Sequence, residues 1–304
     1  MNIALITGCS SGIGRALCEE FLKKDFYVYA SARNIQSLED LPKNDKLIKL
    51  TLDVNDASSI HNALAYIKQE HDHLDVLVNN AGYAAMGPLA DMPIDDLRAQ
   101  FETNVFAPME LTKACLPLLM ACQNTTSDTA AKATHNAQVV NIGSVSGITT
   151  TPFSGAYCAT KAALHALSDA QRMELKPLGI NVITVQPGAI ESKFGDNSLA
   201  NVLQRISDES LYAPLKEAIK ARAMASQDNP TPASEFAANT ANDAGFQLPQ
   251  IKWNFSARRV MTLGWADGVS MGDNDAIDAA GHSRVMLGDR VLQLFLSHAL
   301  RDGF

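Results

Sequence analysis

Short, nearly continuous apolar runs recur along the chain as far as residue 190, at Ile3–Thr7, Phe26–Ala32, Lys46–Leu52, Leu74–Asn79, Gln138–Gly143 and Asn181–Gln186. Between them lie longer stretches of helical pattern, near 13–24, 56–72, 94–122 and 155–176. Runs that are apolar at almost every position suit strands covered on both faces, and strict strand–helix alternation makes them parallel neighbours. The expectation is an α/β protein with a doubly wound parallel sheet in three layers, α/β/α, and an extended C-terminal segment.

The rhythm breaks twice. Asn124 to Ala137 is small and polar, and reads as an exposed excursion between a long helix and the next strand. Beyond Asp228 the chain turns rich in Ala, Asn and Asp. A helix is expected at 208–227, a last strand at Arg258–Leu263 and an amphipathic helix near 283–300. Trp265 to Gly281 reads as a surface loop; its acids Asp273, Asp275 and Asp278 lack the spacing of a calcium loop, so no metal is expected. The organisation expected is one domain over 1–304: a dinucleotide-binding and catalytic part at 1–194, a substrate-covering segment at 195–227, and an atypical extension at 228–304.

Composition narrows the function. The 304 residues are 46% hydrophobic with a net charge of −8, which suits a globular protein and argues against a nucleic-acid partner. The first residues run straight into a strand pattern, leaving no room for a signal peptide, and the most apolar helical stretch, around Leu111 to Cys122, is too short to span a bilayer. Five scattered cysteines read as reduced thiols, so a cytoplasmic location is expected.

Chemistry first shows at Thr7-Gly8-Cys9-Ser10-Ser11-Gly12-Ile13-Gly14, between the first strand and the first helix. Glycines there permit a tight turn and a close phosphate, and the helix start aims free N–H groups at it. A Rossmann-like dinucleotide site follows, with Gly8, Ser10, Ser11, Gly12, Ile13 and Gly14 as its cradle. The second strand ends Tyr29-Ala30-Ser31-Ala32-Arg33-Asn34, without the acid that would take a ribose 2′-hydroxyl. Arg33 can instead grip a 2′-phosphate, helped by the hydroxyls of Ser31 and Ser11, so NADP(H) is the expected cofactor. The bland alternative is a solvated loop Arg.

Further motifs follow in order: Asp53-Val54, Asn79-Asn80-Ala81-Gly82, Asn104, Ser144, Tyr157-Cys158-Ala159-Thr160-Lys161 and Pro187-Gly188. With the glycine loop, they make residues 1 to about 194 resemble the short-chain dehydrogenase/reductase family of the roughly 250-residue type; the remaining third follows it only loosely. Stretches around Phe153 and Ala156-Tyr157-Cys158-Ala159 resemble the branch holding 17β-hydroxysteroid dehydrogenases, retinol dehydrogenases and acyl-dihydroxyacetone-phosphate reductases.

Tyr157 and Lys161, at i and i+4, share one helix face. A neighbouring ammonium, aided by the positive nicotinamide, favours phenolate and brings the phenol's proton within reach near neutral pH. Ser144 stands thirteen positions ahead of Tyr157, the family's interval, and would donate to a substrate carbonyl. Ser146 is its competitor. Asn104 either kinks or caps its helix, or, as the resemblance implies, holds a water that links Lys161 to solvent. The resemblance also assigns cofactor contacts to Asp53, Val54, Asn80, Ala81, Gly82, Tyr157, Lys161, Pro187, Gly188, Ile190 and Ser192.

The expected reaction is hydride transfer between NADP(H) and a carbonyl or alcohol. Phe194, Leu199, Val202, Leu203, Leu211, Tyr212 and Met224 suggest an apolar cover, and so a bulky, lipid-like substrate, although any core-packing helix shows such faces. Two alternatives stay open: an NAD-dependent alcohol dehydrogenase, and a non-catalytic dinucleotide-sensing regulator on the same scaffold. A homodimer or homotetramer is expected, as family members pair apolar helix faces.

Overall fold

The computed structural model describes residues 2–122, 136–206 and 209–242. Two compact units divide the chain, Met1–Ala241 and Asn242–Phe304. The excursion after Asn124 as far as 135, the strand at Arg258–Leu263, the loop from Trp265 to Gly281 with its three Asp, and the helix at 283–300 lie outside the described residues.

Six parallel strands form one sheet: β1 (Ile3–Ile6), β2 (Tyr27–Ala32), β3 (Leu47–Thr51), β4 (Val76–Asn79), β5 (Ala137–Ile142) and β6 (Ile180–Val185). Their order is β3-β2-β1-β4-β5-β6. Each of the six strands expected before residue 190 is present within two residues of its expected ends. The order reverses between β1 and β4, and a doubly wound sheet opens its ligand crevice beyond the carboxyl ends of its strands at such a point.

Because successive side chains on a strand point to opposite faces, the sheet builds two cores. Ile3, Leu5, Tyr29, Leu77, Val139 and Val182 pack on one face against α2 (Ala57–Glu70) and α4 (Ala107–Ala121). Ala4, Ile6, Val28, Val78, Val140 and Ile142 pack on the other against α1 (Gly12–Lys23). The three-layer, Rossmann-like architecture is therefore the observed one. All five cysteines are free and buried, as small core residues.

The expected helix over 94–122 is not continuous. It runs as α3 (Ile94–Phe101), a π-helical turn at Glu102–Phe106, then α4. Asn104 sits buried in that wide turn, with its side chain bonded to the Tyr83 backbone. Next come α5 (Gly155–Leu175), α6 (Phe194–Arg205), α7 (Lys216–Met224) and α8 (Ala233–Asn242). The helix expected over 208–227 shortens to α7 flanked by two 3₁₀ turns, since Pro214 suits only a helix start. α8 was hidden by its polar composition; its Ala237 is buried in the core under β1 and β4.

Candidate active site

The glycine loop spans the switch point. Gly8 and Gly12 hold left-handed backbone at φ 72° and 55°, which side-chain-bearing residues adopt at a cost. A Cβ on Gly12 would stand 2.7 Å from that of Ser192, and one on Gly14 would collide with the Gly8 carbonyl and the Asn80 amide. The first turn of α1 carries no acid, and Ser11 makes no capping bond, leaving its N–H groups open to an anion. Asn80 braces the loop from β4, donating to the Thr7 and Gly8 carbonyls at 2.8 and 3.2 Å. Thr7 returns the brace, its Oγ1 accepting from the amides of Asn80 and Ala81 at 3.0 Å each. These residues fit a dinucleotide pyrophosphate: backbone donors, no acid, and no room for side chains in between.

From that loop a cavity of about 340 Å³ runs along the crevice. It brings together Ser11, Gly12, Ile13, Asn80, Gly82, Ser144, Tyr157, Lys161, Pro187, Gly188, Ile190 and Ser192 from five separate stretches of sequence. Gly8, Ser10, Gly14, Ala81, Arg33, Asp53 and Val54 do not line it. Arg33 is exposed at the end of β2, Val54 is buried, and Asp53 accepts the Asn55 amide at 3.0 Å. One expected helper is otherwise engaged: Ser31 is buried and its hydroxyl donates to the Ile6 carbonyl at 3.0 Å, so it cannot serve a 2′-phosphate.

Tyr157 and Lys161 lie buried on one face of α5. Lys161 Nζ donates to the Ile142 carbonyl at 2.7 Å and stands 5.8 Å from the centre of the Tyr157 ring. Burial pulls its ammonium down to about 8. Without the charge of a bound nicotinamide, burial pushes the phenol up to about 12, against a lowering by the Ser144 hydroxyl and a smaller one by Arg222. The same burial shifts both residues toward their neutral forms, which leaves Lys161 cationic near neutral pH and Tyr157 protonated. The Ser144 hydroxyl faces this phenol, and its oxygen accepts the Ser146 amide at 3.1 Å, which turns Ser146 itself into the loop's brace.

Asn104 is fully engaged. Its Oδ1 accepts the Tyr83 amide at 3.1 Å, and its Nδ2 donates to the Tyr83 carbonyl and the Thr160 hydroxyl at 2.9 and 3.1 Å. The side chain thus ties the β4 loop to α5.

Three residues escaped the sequence reading. His165, one turn past Lys161, packs beneath the loop of Ser144; a Cβ on Gly143 or Gly147 would strike its ring. Gln227 clamps the segment after β6, accepting the Ser192 amide at 3.0 Å and donating to the Ile190 carbonyl at 3.1 Å. Arg222 on α7 lines the cavity. None had a spacing signal, because each acts across a long sequence gap. The apolar cover is present: Met86, Val202, Ile206 and Ile219 cluster with Tyr157, and Phe153, Phe194, Leu199 and Tyr212 pack against them. Leu211 does not join them and is 89% exposed, while Met224 lies against Gly195. The Leu203 side chain lies outside the described residues.

The model of the short chain dehydrogenase family matches residues 2–202, two-thirds of the chain, along the whole of this sheet. The chain belongs to that family. Its fold binds nicotinamide dinucleotides, and its members are oxidoreductases. The chain is 37% identical over 198 residues to the NADPH-dependent 3-dehydrocapnine reductase of Ornithobacterium rhinotracheale, covering 64% of this chain and 67% of that protein. It is 31% identical over 221 residues to the NADPH-dependent 1-acyldihydroxyacetone phosphate reductase of Schizosaccharomyces pombe, covering 72% and 70%. A short-chain dehydrogenase of Streptomyces avermitilis superposes with a TM-score of 0.67 at 27% identity, covering 98% of this chain and 95% of that one. A second model, the ABC1 atypical kinase-like domain, matches residues 228–304. This oxidoreductase site lies wholly in the unit that ends at Ala241. Among the described residues no helix is long and apolar enough to cross a membrane.

Proposed function

We propose that this short-chain dehydrogenase uses NADP(H) to interconvert a bulky, apolar ketone or aldehyde and its alcohol. The observation that carries the reading is the convergence of Tyr157, Ser144 and Lys161 on one cavity, with Met86 and Phe194 on its apolar side. Ser144 donates its hydroxyl to the carbonyl oxygen and stabilises the charge that grows there. Tyr157, held protonated by burial, gives its proton to that oxygen in reduction and takes it back in oxidation. Lys161, poised between charge states near pH 8, resupplies the proton, and a water beside Asn104, whose side chain is itself committed to Tyr83 and Thr160, would connect it to solvent. The dinucleotide, when bound, exchanges the hydride, and its oxidised ring is positive, which favours the phenolate.

The cradle residues would hold the pyrophosphate, Asp53 and Val54 the adenine, Asn80, Ala81 and Gly82 the ribose side, and Pro187, Gly188, Ile190 and Ser192 the carboxamide. Arg33, exposed and without an acid beside it at the end of β2, supports NADP(H) over NAD(H). The two curated relatives named above are both NADPH-dependent reductases, one of them acting on an acyl ketone phosphate. The same reading has the enzyme act as a homodimer or homotetramer in the cytoplasm. NADPH consumption followed by absorbance, against steroid, retinoid and long-chain carbonyls, tests it. Turnover of a long-chain carbonyl that vanishes in Tyr157→Phe is expected; no turnover of any class, or full activity in that variant, overturns it.

A further inference from the structure

One charged side chain in the cavity stands outside the Ser144, Tyr157 and Lys161 set, and its charge lowers the Tyr157 phenol only as the smallest of the effects there. Arg222, half-buried on α7, lines the same cavity as Tyr157. Its Nε and Nη2 donate to the Thr151 hydroxyl at 3.0 and 2.7 Å, and Nη2 reaches Ser154 at 3.5 Å. Both partners are neutral hydroxyls, so the guanidinium is fixed in place while its charge stays uncompensated. Its Nη1 carries two N–H donors that these bonds leave unused. Among the described residues no carboxylate lines the cavity; its charged groups are Lys161 and Arg222, both cationic. That is unexpected in a chain with a net charge of −8, and it leaves the α7 side of the cavity with a positioned cation and spare donors suited to an oxyanion.

We infer that Arg222 is a specificity determinant that pairs with an oxyanion head group, a phosphate or carboxylate, borne close to the substrate's carbonyl carbon. The substrate class is then an anionic amphiphile. Its apolar chain lies along Met86 and Phe194, and its head group faces α7. Arg suits this role because its planar fork offers parallel donors to two oxygens of one oxyanion. The inference rests on the carbonyl-reductase reading proposed above.

The test uses the full chain and a matched pair of probes: a long-chain alkyl hydroxymethyl ketone and the phosphate monoester of that same ketone. NADPH-dependent kcat/KM of the unmodified enzyme should favour the phosphate ester by about tenfold or more, mainly through KM. Arg222→Gln should abolish that preference while changing the neutral ketone by less than about threefold and leaving the NADPH Kd intact. Arg222→Lys should restore part of it as a point charge. An equal loss on both ketones in Arg222→Gln would reduce Arg222 to a tie between α7 and Thr151, and a wild type blind to the phosphate would overturn the inference as well. If neither ketone is reduced, calorimetric binding of the phosphate ester decides separately. Binding that needs Arg222 upholds the anion site and sinks only the reductase reading, whereas no binding sinks the anion site.

Discussion

His165 Nε2 accepts the backbone N–H of Ser144 at 3.3 Å, so a helix one turn past the Tyr157/Lys161 pair holds the serine's own peptide in place. The imidazole must be neutral at Nε2 to accept, and burial, aided by the Lys161 charge, keeps its pKa below the usual value. Its Nδ1 is buried without a partner among the described residues.

A first prediction follows for stability against pH. A His whose folded pKa is depressed leaves the unfolded state binding more protons once the pH drops below about 6.5. Its destabilising effect is absent above that value and grows as pH falls toward the folded pKa. Thermal melts of the wild type should therefore lose more stability between about pH 7 and 5 than those of His165→Gln. Identical slopes would show that His165 does not report the protonation of this loop.

Proton transfer gives the second. Tyr157→Phe should lower turnover about a hundredfold or more with little change in NADPH binding. Ser144→Ala should cost about 2.7–4 kcal/mol in transition-state stabilisation, as loss of an oxyanion donor does. In the ligand-free protein the Tyr157 phenol should ionise only toward about 12. Ultraviolet difference titration of wild type against Tyr157→Phe would detect a phenolate near pH 8 if this were wrong.

The third concerns the cradle. Gly14→Ala places a methyl against the Gly8 carbonyl, a backbone atom that cannot swing aside. Overpacking of this kind costs about 1–3 kcal/mol and should weaken NADPH more than it lowers the melting temperature of the sheet. Fluorescence titration with NADPH measures it; unchanged affinity would mean that the loop opens more readily than its packing implies.

Cofactor choice gives the fourth. With Ser31 turned inward onto Ile6, Arg33 and Ser11 remain to grip a 2′-phosphate. Arg33→Ala should weaken NADPH by about tenfold or more and barely affect NADH, while Ala32→Asp should move preference toward NADH. Equal affinities of the unmodified protein for both cofactors would refute the assignment.

The fifth concerns the chain's division. A chain ending at Asn242 keeps α8 and Ala237 in the core and should bind NADPH as tightly as the full chain. Lost binding would place part of the site beyond residue 242.

The six strands, their parallel pairing and the glycine loop were legible because each writes its physics locally. A strand covered on both faces must be apolar throughout, and a loop that admits phosphate must shed its Cβ atoms. Tyr157 and Lys161 were legible for the same reason, since four residues make one helical turn. What the tertiary structure decided is everything that depends on burial and on contact between distant stretches. Local spacing sets Lys161 beside Tyr157, but only the surrounding walls supply the desolvation that raises the phenol before a cofactor binds. Ser31 looked available until packing turned it toward Ile6, and Asn104 widened one helix because Tyr83 and Thr160, brought in from other elements, take its bonds. His165, Gln227 and Arg222 carry no pattern of their own; their meaning comes from Ser144, Ser192 and Thr151, which only the folded chain sets against them. Periodicity records which face of an element is buried, but a hydrogen bond between residues 71 positions apart, such as Arg222 to Thr151, leaves no trace in either segment.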